Sequence, residues 1–226
     1  MSRALFPLIR QFSSRLSPLL AKTPVSANQV SLIAMVFGLV AGWYLAIGGF
    51  DNALVGAGYL LVYYILDHCD GEIARIHGQS SEFGKQLDTF VDWVVHAVFF
   101  AALGYGYAGQ TGEELWMWLG IVGGLGCTIN YFIAVAMGAR EKRQTQERGD
   151  AFDATGLEEI ETAPVPDTAG QWVIFAFREL SRSDFCFIVL ALAAFDVVWL
   201  LIPAGAIGSQ VYWLLQFVRG VREYHA

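Results

Sequence analysis

Four aspartates interrupt a chain that is otherwise rich in apolar residues. Asp67 and Asp70 close one hydrophobic stretch, and Asp88 and Asp92 open the next, within ILDHCDGEIARIHGQSSEFGKQLDTFVDWVV. A carboxylate among apolar helices is costly unless it is paired, hydrated or bound to metal, so four together need a common partner. Spacings of three and four residues put each pair on one helix face. The short segment between Arg75 and Gly84 makes the two helices an antiparallel hairpin. At ~1.5 Å per residue, Asp67 and Asp92 each lie about 12 Å from that segment, so the pairs meet at matching depth.

Facing carboxylates do not all stay ionised without a counter-charge, and an all-oxygen donor set suits a hard divalent cation, magnesium or manganese. Two such ions nearly balance four carboxylates. Gly71 and Gly84 remove side chains where a phosphate or other ligand approaches the backbone. Arg75, just over one turn beyond Asp70, offers a fork for phosphate oxygens. Zinc fits less well, because His68, His77 and His96 are 9 and 19 residues apart and mixed with aspartates.

The elements that must position these groups are read from composition. Of 226 residues, 55% are hydrophobic and 15% charged, against roughly 25% charged in an average soluble domain. That balance points to lipid as solvent, and a net charge of −7 excludes a nucleic-acid partner. Cys69, Cys127 and Cys186 read as small core residues rather than a disulfide framework. No cleavable signal is expected, because Arg3, Arg10, Arg15 and Lys22 are spread through the first 23 residues.

The expected fold is an all-α integral membrane protein with six transmembrane helices, at about 29–48, 53–75, 84–107, 115–138, 184–201 and 204–219. Pro203 and Gly205 mark the turn between the last two, and the sixth is expected to be short. Residues 1–28 are expected to form a cytoplasmic amphipathic interfacial helix, with Leu5, Phe6, Leu8, Ile9, Phe12 and Leu16 set among basic residues. Residues 29–226 form the membrane domain, with a cytoplasmic polar insert at 138–183 carrying eight acids between Glu141 and Asp167. The middle of that insert is expected to be a flexible loop.

All 14 basic residues fall on one side of this topology, while the opposite loops carry only Asp51, Glu113 and Glu114. By the positive-inside rule the carboxylates and both termini face the cytoplasm, at the inner or plasma membrane if the source is bacterial. The aromatic residues read as interfacial belts and packing. Gly104-x-Gly106 and Gly120-x2-Gly123-Gly124-x-Gly126 allow close packing of the third and fourth spans, within one chain or at a dimer seam. Asp196 is expected to reach toward the outer interface.

The run Asp67-x2-Asp70-Gly71-x2-Ala74-Arg75-x8-Gly84-x3-Asp88-x3-Asp92 resembles, position for position, the signature of the CDP-alcohol phosphotransferase (CDP-alcohol phosphatidyltransferase) family. Thr23-Pro24 and Asn28-x2-Ser31, leading into the first span, are also similar to that family. The resemblance implies transfer of a substituted phosphoryl group from a CDP-alcohol, with CDP-diacylglycerol the expected donor, to an acceptor hydroxyl with release of CMP. It implies a dimetal site with Asp67, Asp70 and Asp88 as ligands, and Asp92 as general base and further ligand. It also implies Asn28, Asp67, Gly71, Ala74, Arg75 and Gly84 around the CDP-alcohol, and a homodimer among membrane lipids.

The residue chemistry agrees. Two divalent ions stabilise the entering and leaving oxygens of an in-line displacement at phosphorus, while a free carboxylate deprotonates the acceptor. Arg178 and Arg182, four apart before the fifth span, look like the arginine-bearing segment of relatives whose acceptor is glycerol phosphate or inositol phosphate. The competing class is a divalent-cation transporter or channel, since intramembrane carboxylates also mark ion pathways. A third, a catalytically dead scaffold, predicts no metal dependence.

Overall fold

Helices in this chain start and stop at local chemical signals. In the computed structural model, which describes residues 8–148 and 184–224, these signals divide the chain into α1 (Ile9–Leu20), α2 (Ala27–Ile47), α3 (Phe50–Ile76), α4 (Glu82–Thr111), α5 (Glu114–Arg148), α6 (Phe185–Ala194) and α7 (Leu201–Tyr224). A short 3₁₀ turn, Val198–Leu200, precedes α7. Among the described residues there is no strand.

Ser26 opens α2 with a capping box: its Oγ accepts from the Gln29 N–H at 3.3 Å, and Gln29 Oε1 accepts from the Ser26 N–H at 2.9 Å. Two exposed donors at the helix start are thereby satisfied reciprocally. Gly48 and Gly49, with φ of 77° and 89°, reverse the chain into α3 through a two-residue turn, a backbone region that residues with a Cβ seldom adopt. Ser81 caps α4 by accepting the Gly84 N–H at 3.1 Å. The short connections make α2, α3, α4 and α5 run antiparallel in succession. α2 packs along α3 and α4, α4 along α5, and α5 along α7, while α1 and α6 lie against α3. Leu60, Tyr63, Val91, Val95, Phe99 and Ile202 are buried between them.

The glycine runs bring α4 and α5 together within one chain. A Cβ on Gly104 would lie 2.8 Å from the Cα of Gly120 and 2.6 Å from the Trp116 carbonyl oxygen, so the two backbones touch directly. Trp43, Trp118, Leu125 and Phe132 are exposed on the outside of the bundle. Among the described residues, three helices, α2, α4 and the Glu114–Arg140 part of α5, are long and apolar enough to cross a membrane.

The C-terminal part departs from the sequence expectation. The helix of the expected fifth span, α6, stops at Ala194, and the break comes at Phe195–Val197, where Asp196 adopts φ 59°. The Val197 N–H reaches back to the Leu192 carbonyl at 2.8 Å, which closes the helix end. Pro203 lies in the first turn of α7, where a missing N–H costs nothing, and Gly205 lies inside that helix against Phe100. α6 accordingly has 10 residues and α7 24, and the apolar part of the latter, up to Leu214, is short, as expected. The start of the polar insert continues α5 as helix to Arg148, while residues 149–183 lie outside the described residues.

α1 is tied down at three points. Asp184, fully buried, accepts the Leu8 N–H at 2.8 Å and the Ile9 N–H at 2.9 Å, one on each carboxylate oxygen. These are first-turn amides with no partner inside their own helix, and the charge complements the helix dipole. The Ser13 hydroxyl donates to Glu72 Oε1 at 2.9 Å, and His77 Nε2 donates to the Ala21 carbonyl at 2.9 Å. The face of α1 turned to the bundle carries Ile9, Ser13 and Ser17, leaving Phe12 and Leu19 exposed.

Asp184→Ala strands both amides. The expected result is a loss of about 1–3 kcal/mol of α1 docking, read as faster hydrogen exchange across Ile9–Leu20 and earlier protease cleavage between α1 and α2. Asp184→Asn, which keeps one acceptor oxygen, should fall between the two. Unchanged exchange in the alanine variant would show that α1 is held by its other contacts.

Candidate active site

The last third of α3 and the first three turns of α4 face each other across the His77–Ser81 loop, with the start of α2 alongside. Asp67, Asp70 and Asp88 each bring one carboxylate oxygen to within 4.8 Å of the other two. At that separation, with an effective dielectric near 20, each pair of like charges costs about 3 kcal/mol, so the cluster calls for positive charge. Asp67 Oδ1 is buried and has no hydrogen-bond partner. Trans oxygens around a magnesium-type cation lie about 4.2 Å apart, at bonds of ~2.1 Å. A buried, unpartnered carboxylate oxygen in an all-oxygen set of this spacing fits a hard divalent ion.

Asp70 is held from α2, where the Ser31 hydroxyl donates to its Oδ2. Only 6% of Asp70 is exposed, so this bond fixes which of its oxygens turns to the cluster. Asp92 stands one turn beyond Asp88 and lies outside the three-oxygen group. Its Oδ1 accepts from the Tyr63 hydroxyl at 2.5 Å. His96 Nδ1 donates to the Asp92 carbonyl at 2.7 Å, because a carbonyl only accepts, and His96 Nε2 is then left to accept the Tyr64 hydroxyl at 2.8 Å. His68 Nδ1 donates likewise to the Tyr64 carbonyl at 2.9 Å. These histidines are engaged with helix backbone and are not gathered as a metal-binding set.

The other residues singled out from the sequence line the same end of the hairpin. The Arg75 guanidinium folds back toward Gly71, where a Cβ would meet its nitrogens at 3.6 and 3.9 Å. Ala74 is half-buried and Arg75 exposed. Asn28, at the start of α2, approaches Gly84, whose absent Cβ would lie 3.3 Å from Asn28 Oδ1. Asn28, Gly71, Ala74, Arg75 and Gly84 thus stand on three helices around the carboxylates. Arg178 and Arg182 lie outside the described residues.

Sequence reasoning missed Tyr63, Tyr64 and the Ser13–Glu72 bond. A signal for the first was present: Tyr63 precedes Asp67 by one turn and shares its face, but an aromatic in an apolar run reads as packing.

The chain is similar to proteins named as transferases and synthases. It is 30% identical over 119 residues to the bifunctional IPC transferase and DIPP synthase of Thermococcus kodakarensis, covering 53% of this chain and 26% of that protein. It is 31% identical over 100 residues to the archaetidylinositol phosphate synthase of Pyrococcus horikoshii, covering 43% of this chain and 52% of that one. The chain therefore aligns with only about a quarter to a half of these relatives' lengths. Residues 24–199 match the CDP-alcohol phosphatidyltransferase family, a stretch that takes in α2 to α6 and every carboxylate of the cluster. The chain belongs to the CDP-alcohol phosphatidyltransferase family.

Proposed function

We propose that this protein transfers a phosphatidyl-type group from CDP-diacylglycerol to a hydroxyl of a phosphorylated polyol, such as glycerol phosphate or inositol phosphate, and releases CMP. The observation that carries this reading is the convergence of three carboxylate oxygens within 4.8 Å in a chain of this family. Asp67, Asp70 and Asp88 would hold the divalent ions, magnesium or manganese. When bound, these supply positive charge to the diphosphate and to the oxygens entering and leaving phosphorus.

The protein's own groups do the rest. Arg75 binds phosphate oxygens of the donor, and Gly71, Ala74, Asn28 and Gly84 give the cytidine diphosphate room beside the helices. Asp92 takes the proton from the acceptor hydroxyl as its oxygen attacks the phosphorus that carries the lipid alcohol. The bond from that phosphorus to the CMP oxygen breaks, and CMP leaves with the electron pair.

The acidic cluster sits at one end of the α3–α4 hairpin, which suits a pocket open to one face better than a path for ions. In this reading residues 29–226 form one membrane domain of six spans, with α3, α6 and α7 crossing beside the three long apolar helices, and residues 1–28 lie at the interface. The pocket and both termini face the cytoplasm, where the basic residues fall, and the protein works as a homodimer.

The acceptor assignment rests on Arg178 and Arg182, two basic residues four apart in the sequence after an acidic insert. The product named in archaetidylinositol phosphate synthase is in keeping with an acceptor that carries phosphate. The test is CMP release by purified protein with magnesium, CDP-diacylglycerol and a panel of glycerol phosphate, inositol phosphate, inositol, serine and lipid alcohols. Turnover is expected with the phosphorylated polyols. Arg178→Ala or Arg182→Ala should raise the acceptor KM about tenfold or more and leave donor affinity in place, with lysine rescuing in part. Transfer only to uncharged alcohols, or alanine variants with the parent KM, would overturn the acceptor assignment.

A further inference from the structure

A carboxylate's two oxygens are equivalent until the protein distinguishes them, and at Asp92 it does so with one hydroxyl. Tyr63 is fully buried on α3, one turn before Asp67, and its hydroxyl donates to Asp92 Oδ1 at 2.5 Å. Its ring is fixed by an edge contact with Tyr64, centroids 5.2 Å apart at 81°. The next residue braces the same turn of α4, since Tyr64 donates to His96 Nε2 while His96 Nδ1 holds the Asp92 carbonyl. The backbone and one side-chain oxygen of Asp92 are therefore both engaged by neighbours.

From this geometry we infer that Tyr63 is a positioning residue for the transfer reaction: it occupies Asp92 Oδ1, so that Oδ2 is the oxygen turned to the acceptor hydroxyl. The inference rests on Asp92 being the base of the proposed reaction. An oxygen that already accepts a phenolic hydrogen bond has one of its two lone pairs engaged and is the less basic of the two, whereas the other keeps both free to take a proton. The bond also spans two helices, so it ties the rotamer of Asp92 on α4 to the helix that carries Asp67 and Asp70. Without the hydroxyl the carboxylate can rotate, and its productive orientation becomes one of several. Such a loss slows the chemical step without loosening the donor.

Tyr63→Phe keeps the buried ring and removes only the hydroxyl. The expected result is a kcat lowered about tenfold or more, the range for loss of a hydrogen bond to a charged group. KM for CDP-diacylglycerol and the half-saturating magnesium concentration should stay within about twofold of the parent. If the effect passes through Asp92, Tyr63→Phe combined with Asp92→Asn should be no slower than Asp92→Asn alone. A merely structural role would move donor KM and metal requirement along with kcat, and would slow the double variant further; either result overturns the inference. Tyr63→Phe at the parent kcat beside a slow Asp92→Asn overturns it alone. Asp92→Asn at the parent kcat overturns the base assignment and this inference together.

Discussion

Asp67→Ala is expected to cut CMP release by orders of magnitude, and Asp70→Ala and Asp88→Ala to lower it steeply as well. The three oxygens lie within 4.8 Å of one another, so each is part of the charge that retains a divalent ion. Removing one leaves two carboxylates and a diphosphate without the cation that balances them. Electrophilic assistance at phosphorus is worth several kcal/mol, so a loss of roughly 10³-fold in kcat/KM follows, at 1.36 kcal/mol per decade. Asp67 should be the most severe, because its buried Oδ1 has no protein partner, whereas Asp70 is also held by Ser31. The measurement is CMP release against magnesium or manganese concentration, with manganese binding followed in parallel by electron paramagnetic resonance. Binding and turnover should fall together. Full CMP release by the parent or any of these variants in excess EDTA would remove the metal from the reaction.

Much of this site is legible in the amino-acid sequence, for a physical reason. Helical spacing fixes which residues share a face, and equal distances from a short loop fix depth, so placing Asp67, Asp70 and Asp88 together requires only the hairpin. The starts of α2 and α4 fall within two residues of the expected ones, each just after a serine that caps the helix. The break in the apolar run after Ala194 is not. LALAAFDVVWLLIPAG stays hydrophobic on both sides, and the helix ends because Asp196 takes a left-handed backbone that its side chain does not announce. Pro203 misleads for a related reason, because proline suits the first turn of a helix as well as a loop.

The packing of α1 is hidden by its partners. Ser13 faces inward because Glu72 is there to accept its hydroxyl, and the amides of Leu8 and Ile9 are held by Asp184, some 175 residues away. Hydrophobic periodicity describes what lipid or a core would select, and it is silent about a buried acid that selects serine and bare N–H groups. Tyr63 belongs to the same class. Its role follows only from α3 and α4 lying side by side.

Asp92→Asn should separate binding from chemistry more cleanly than any other substitution. The amide oxygen can still accept from Tyr63, so the side chain keeps its place on α4. The nitrogen then stands where Oδ2 was, and it cannot take a proton from the acceptor. General-base assistance contributes about 10²- to 10⁴-fold, and a fall of that size in kcat is expected with donor affinity near normal. Asp92 lies outside the three-oxygen group, so the metal requirement should change far less than in Asp67→Ala. A ligand role predicts the opposite pattern: the half-saturating magnesium concentration would rise, and excess metal would restore the rate. Unchanged turnover would remove Asp92 from the role of base. Rescue by magnesium would move it into the ligand set, and the proton would then have to leave through a different group.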